Sequence, residues 1–151
     1  MLTTPIDNMN FKNDQEIKAM LGHEDIYFSD KIIKVRQGIF SSNQERVILI
    51  TDQALYNLKG KEKKRRIEIG SLSGVTISKL SDQFVIHGKN EEYDYLYSSP
   101  NRLKIIEILE NTKLCDEFSK NAKRDLYKNR ESCVKEVYQL YLQRIQKKNN
   151  L

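Results

Sequence analysis

The stretch Arg46-Val47-Ile48-Leu49-Ile50-Thr51-Asp52-Gln53-Ala54-Leu55-Tyr56-Asn57-Leu58 decides how the rest of the chain is read. Val47–Ile50 is the longest wholly apolar run, and its four residues fall far short of a bilayer-spanning helix, which needs roughly 20. Between polar Glu45-Arg46 and Asp52-Gln53 the run reads as a central strand, turned tightly at Asp52-Gln53 into a second strand, Ala54–Leu58.

Working outward, Ile26-Tyr27-Phe28 leads into Lys31-Ile32-Ile33-Lys34-Val35-Arg36. There Ile33 and Val35 share one face and Lys34 and Arg36 the other. An uncharged loop, Gln37–Gln44, joins this strand to the central one. Downstream, Lys59-Gly60-Lys61-Glu62-Lys63-Lys64-Arg65-Arg66 packs six bases and one acid into a basic loop. Arg65–Ile69 alternates, Gly70–Gly74 is a short link, and Val75–Ser78 and Phe84–His87 are two further strands. After the polar turn Gly88–Glu92, Tyr93, Tyr95 and Tyr97 fall on one face of a last strand. Seven short strands at about ten-residue spacing between residues 26 and 98 predict an antiparallel sandwich or small barrel.

Helical periodicity flanks the sheet. Asn13 is placed to cap a short helix carrying Ile17, Met20 and Leu21, which Gly22 ends. Ser99 as N-cap and Pro100 as first residue start a second helix. Its stripe of Leu103, Ile106 and Leu109, with Ile105 and Ile108 alongside, should bury against Val47 and Leu49 or against Ile48 and Ile50. Leu114, Phe118, Ala122 and Leu126 follow at four-residue steps. Val134, Val137, Tyr138, Tyr141 and Ile145 then make one more apolar face, expected to dock on a partner protein, because such a helix is rarely stable alone.

Composition bounds the function. Of 151 residues, 38% are hydrophobic and 31% charged, which suits one domain with appendages. The net charge of +5 is concentrated in the basic run and in the tail from Asn111, where ten bases meet five acids, so a polyanion is the natural partner. Cys115 and Cys133 lie 18 residues apart with no Cys-x-x-Cys pair, which argues against a disulfide framework or a zinc site and for a reducing, cytoplasmic setting. Met1–Pro5 has neither a basic n-region nor an apolar h-region, so no signal peptide is expected. His23 reads as an exposed residue after the first helix and His87 as a structural strand residue, and no Gly-x-x-x-x-Gly-Lys loop occurs. No enzyme, metal or cofactor is expected. The tyrosine strand could stack bases, but Glu91, Glu92 and Asp94 beside it argue against nucleic acid.

Seven antiparallel strands closed by one helix is the pleckstrin-homology-like architecture, an α+β, mainly β fold. Three segments carry a closer likeness: Tyr27-Phe28-Ser29-Asp30-Lys31-Ile32-Ile33-Lys34, Arg46–Tyr56, and Leu80-Ser81-Asp82-Gln83-Phe84-Val85-Ile86-His87. In this order they resemble the tail homology 1 (TH1) domain of class I myosins, over roughly residues 24–112. The division is then a helical lead-in 1–23, a TH1 domain 24–112 and a helical extension 113–151.

The resemblance implies binding to anionic phosphoinositide membranes and a link to the cytoskeleton. Lys34 in the first strand and Arg46 at the start of the second match the family's basic positions, with Lys31 and Arg36 beside them. Where family members carry bases in the intervening loop, this chain has none. The run Lys59, Lys61, Lys63, Lys64, Arg65 and Arg66 is read as supplying the anionic-surface contact instead, with Ile39-Phe40 as a membrane-inserting wedge. The alternative is a structural or adaptor subunit of an actin-cortical or ciliary assembly that docks through protein contacts alone.

Overall fold

The computed structural model describes residues 4–36, 42–89 and 94–111. The predicted strands are present as β2 (Ile26–Lys34), β3 (Gln44–Thr51), β4 (Ala54–Lys59), β5 (Glu62–Glu68), β6 (Leu72–Ile77), β7 (Gln83–Gly88) and β8 (Tyr95–Ser98). An added two-residue strand, β1 (Ile6–Asp7), pairs parallel to β2. The hydrogen-bonded order is β5-β4-β3-β2-β8-β7-β6, every pair antiparallel. Among the described residues two α-helices accompany the sheet, α1 (Gln15–Leu21) and α2 (Arg102–Asn111).

The central run is apolar on consecutive residues because both of its faces are covered. Ile48 and Ile50 lie in the interior cluster with Phe28, Ile32, Leu55, Ile67, Phe84, Tyr97 and the apolar side of α2. Val47 and Leu49 point the other way, into a cluster with Phe11, Ile17, Leu21, Tyr56 and Leu58. Thus α1 packs on the outer face of β3 and β4, and α2 on the inner one.

Several boundaries differ from the expected ones. Asp14, not Asn13, caps α1: its carboxylate accepts from the Ile17 amide at 3.1 Å. Gly22 does end that helix, at φ +63°. On β2 the inward residue is Ile32, 3% exposed, while Ile33 is 37% exposed, because Ile32 pairs with Arg46 on the inner face. The link at 70–74 is mostly strand: one 3-10 turn, Ile69–Ser71, precedes β6, whose register with β7 shifts between Leu72 and Gly74. The second helix starts at Arg102 rather than Pro100, after a turn in which Ser99 Oγ accepts from the Asn101 amide.

The apolar stripe of α2 is also rotated. Ile105, Ile106, Ile108 and Leu109 are buried, but Leu103 is 60% exposed. Asn101 Nδ2 donates to Asp30 at 2.6 Å and Arg102 Nε to the Ser78 carbonyl at 3.2 Å, and these bonds fix the helix's rotation. At 3.6 residues per turn Leu103 then lies about 140° from the middle of the buried arc. Leu103→Ala should therefore leave stability within about 0.5 kcal/mol of wild type in urea unfolding; a larger loss would place Leu103 in the core.

The basic run is not a loop. Only Gly60 (φ +61°) and Lys61 form the turn, and Glu62–Glu68 is a strand paired with β4. Alternation along that strand sends its cations to opposite faces, which determines the geometry of the site.

Candidate anion-binding surface

Three connections open at one end of the sheet: β2–β3, β4–β5 and β7–β8. Pairing of Ile32 with Arg46 and of Lys34 with Gln44 puts Lys34 and Arg46 on the same, inner face as diagonal neighbours. One step beyond the Val47–Leu58 pair, the register sets Lys59 opposite Arg46. Arg65 pairs with Asn57, the partner of inward Ile48, and so joins the same face. Four adjacent strands each place one cation on this inner face, Arg65 a step below the rim, and Glu62 opposite Lys59 adds one acid beside them.

Lys34 is the most informative of these. Its ammonium lies 5.4 Å from the centroid of the Tyr95 ring, and Tyr95 stacks on Tyr97 at 5.7 Å. Burial, then the charges of Arg46 and Arg36, hold its pKa below lysine's ordinary range. A cation half-withdrawn from water beside two others is electrostatically costly until an anion arrives. Arg46 is aimed by its own strand: Nη1 donates to the Glu45 carbonyl at 2.9 Å and Nη2 to Gln44 Oε1 at 3.0 Å. Its remaining guanidinium donors suit a phosphate.

The sequence matches the family described as "Unconventional myosin tail, actin- and lipid-binding" over residues 6–149. The chain belongs to the TH1 family of unconventional myosin tails. The match is wider than the segment 24–112 on which the likeness was first read. The myosin ID heavy chain of Dictyostelium discoideum is 28% identical over 121 residues, covering 68% of this chain and 11% of the relative. The myosin IB heavy chain of the same organism is 29% identical over 115 residues, covering 68% and 10%. The myosin heavy chain IB of Acanthamoeba castellanii is 29% identical over 97 residues, covering 58% and 8%. The chain thus spans about a tenth of the length of these relatives. Among solved structures, the human RhoA complex with the DH/PH fragment of PDZRhoGEF superposes with a TM-score of 0.53 at 9% identity, covering 64% of this chain and 30% of that one. This likeness supports the pleckstrin-homology-like fold alone.

Not every sequence-derived cation of the TH1 chain joins the rim. Lys31 stands on the opposite face, opposite Val47, and reaches Glu45 at 3.8 Å. Lys61 is bridged to Asp14 at 2.6 Å, tying the β4–β5 turn to the cap of α1. Lys64 pairs with Glu62 at 2.8 Å. Lys63 is exposed and pairs with outward Leu58. Arg66 is furthest from the expected role: it pairs with Tyr56 on the outer face. Its Nε donates to Tyr56 Oη at 3.0 Å, its Nη1 to Glu68 at 3.1 Å and its Nη2 to Glu24 at 3.3 Å. These bonds, the one to Tyr56 foremost, raise its already high pKa, and Tyr56 itself is pushed up by burial and by Glu24. Arg36 is exposed just beyond β2, its amide donating to Asn43 Oδ1 at 3.3 Å. Ile39, Phe40 and the stripe Val134, Val137, Tyr138, Tyr141 and Ile145 lie outside the described residues.

Tyr95 and Tyr97 are no stacking platform, since Tyr95 is 7% and Tyr97 0% exposed; Tyr93 lies outside the described residues. His87 is buried, linked to Thr76 Oγ1 at 2.7 Å and to Asp94 at 3.2 Å, so the three side chains cross-tie β6, β7 and the start of β8. A cleft of about 480 Å³ between α1 and β2 mixes Lys12 and Lys18 with Asp7, Glu24 and Asp25, and so presents no single polarity to a ligand. No described helix is long and apolar enough to cross a membrane.

Proposed function

We propose that this TH1 tail binds anionic, phosphoinositide-bearing membranes through the open rim of its barrel and couples them to the actin cytoskeleton. The observation that carries the reading is the convergence of Lys34, Arg46, Lys59 and Arg65 on one face, with Lys34 desolvated beside other cations. Near an anionic surface each base contributes on the order of 1 kcal/mol, so four supply roughly 4 kcal/mol, about a thousandfold in affinity. A polyphosphorylated headgroup can engage several of them at once, and Ile39 and Phe40, in the β2–β3 connection, supply apolar groups for the lipid side. The family's description as actin- and lipid-binding supports the cytoskeletal link and a position for the tail at the cytoplasmic face of a membrane.

Vesicle co-sedimentation of the whole chain tests this, with and without phosphoinositide and at two salt concentrations. Binding that requires the phosphoinositide and weakens with salt supports the reading. A chain that ignores vesicles yet captures cytoskeletal protein supports the adaptor reading instead.

Lys34 adds a pH signature. Its folded pKa is depressed, so it loses its proton below the ordinary value of 10.5. In that window the unfolded chain holds more protons, and unliganded stability rises with pH. A bound anion stabilises the protonated form, so binding takes up a proton and affinity falls as pH rises through the same window. Titrations of phosphoinositide vesicles from neutral to alkaline pH should show this fall in wild type and not in Lys34→Arg. An equal fall in both would assign it to another group.

A further inference from the structure

We propose that the cleft between α1 and β2 is a docking site for an extended segment of a partner protein in which an apolar side chain lies between an acid and a base. The cleft measures about 480 Å³, within the range of pre-formed ligand sites. It is open over Gly22, where a Cβ would meet nothing within 4 Å. Pro5, Leu21, Ile26 and Tyr27 give it an apolar wall, and Ile26 and Tyr27 are only partly buried there.

The charged groups of the lining are not equivalent. Asp7 serves the fold: its carboxylate accepts from the amides of Phe11 at 3.0 Å and Lys12 at 2.8 Å and from the Ser29 hydroxyl. Glu24 is held by Thr51, Tyr56 and Arg66. Asp14, the acid that caps α1, is bridged to Lys61. The exposed groups that face an occupant are therefore Lys12, just before α1, Lys18 within it, and Asp25 at the entry to β2. Burial, then the charges of Asp52 and Asp25, push the pKa of the Tyr27 hydroxyl above its ordinary value. The α1 side of the cleft is thus positive and the β2 side negative.

This polarity selects the occupant. A polyanion meets Asp25 and Asp52, a polycation meets the two lysines, and a wholly apolar group leaves all of these charges without partners. An occupant carrying both signs, with an apolar group between them, pairs each pole and fills the wall. Position favours a protein as its source. Tyr27 is seven residues from Lys34 along β2, about 23 Å at 3.3 Å per residue. A tail seated on a bilayer by its rim then turns the cleft away from the lipid. That orientation rests on the membrane-binding reading above, whereas the chemistry of the cleft does not.

The test uses the full chain and a random nonapeptide display library, selected on wild type and counter-selected on Lys12→Gln with Lys18→Gln. Both lysines are exposed, so this variant should keep the wild-type melting midpoint. Enriched sequences should carry an acid and a base on opposite sides of an apolar residue. A synthetic copy with blocked ends should shift the backbone NMR signals of Lys12, Lys18 and Asp25–Tyr27. It should bind the double lysine variant about tenfold more weakly, as expected for the loss of exposed pairs, and Asp25→Asn more weakly than wild type. Vesicle binding by these variants should match wild type. No enrichment, enrichment of all-acidic or all-apolar sequences, or shifts away from the cleft would overturn the proposal. A chain that takes the peptide but ignores vesicles would overturn the membrane reading alone; one that binds vesicles but no such peptide would overturn the cleft alone.

Discussion

Arg66→Ala should cost the fold about 2–3 kcal/mol, read as a lower urea midpoint, without weakening the folded protein's grip on anionic vesicles. Glu24 is the reason. Its side chain is 9% exposed and gathers Thr51 Oγ1 at 2.8 Å, the Tyr56 hydroxyl and Arg66 Nη2 at 3.3 Å. Removing the cation leaves a carboxylate nearly closed off from water with only neutral donors. Breaking a buried pair in this way costs about 3–5 kcal/mol, discounted here because water reaches Arg66, whose side chain is 29% exposed. In thermal terms the loss is roughly 4–12 °C for a chain of this size. The double variant Glu24→Gln, Arg66→Met should lose less than the sum of the two single changes, because it removes the unpaired charge along with its partner. A normal melting midpoint combined with weakened vesicle binding would return Arg66 to the membrane surface.

The second large effect is on binding. Lys34→Glu with Arg46→Glu replaces two attractive charges by two repulsive ones, a change of four charges at the rim. At on the order of 1 kcal/mol per charge the affinity for phosphoinositide vesicles should fall about a thousandfold, beyond detection by sedimentation. The fold should survive, because Lys34 is at the end of its strand and Arg46, among the described residues, bonds Gln44 and the Glu45 carbonyl of its own strand. Relief of the repulsion among Lys34, Arg36 and Arg46 also offsets part of any loss. Neutralising Lys63 and Lys64, which lie off the inner face or in an exposed ion pair, should have a much smaller effect.

The strand count, the central run and the closing helix were legible because they rest on local periodicity. Val47–Ile50 is apolar at every position, and that pattern survives any register. Lys34 and Arg46 were found through a likeness to other tails, and pairing in the structure puts them side by side. Residues 59–66 misled because six cations in eight residues look like a solvated turn, when a single Gly60-Lys61 turn suffices and the rest pairs with β4. Arg65 and Arg66 already stood in the alternating run Arg65–Ile69, and alternation separates them, but counting both in one basic patch set that aside. The anchoring of Arg66 by Glu24 spans 42 residues and depends on α1 docking outside the sheet. Leu103 failed as a core residue for a related reason: it sits in a correct element whose rotation is set by distant bonds.

The most direct measurement of the central claim is a backbone NMR titration of the full chain with a soluble inositol polyphosphate headgroup. The account predicts saturable shifts concentrated at residues 34–36, 43–46 and 59–65 and at Tyr95, with α1 and the cleft beside Lys12 and Lys18 unmoved. Shifts confined to that cleft, shifts spread evenly over all basic residues, or none at all would contradict it.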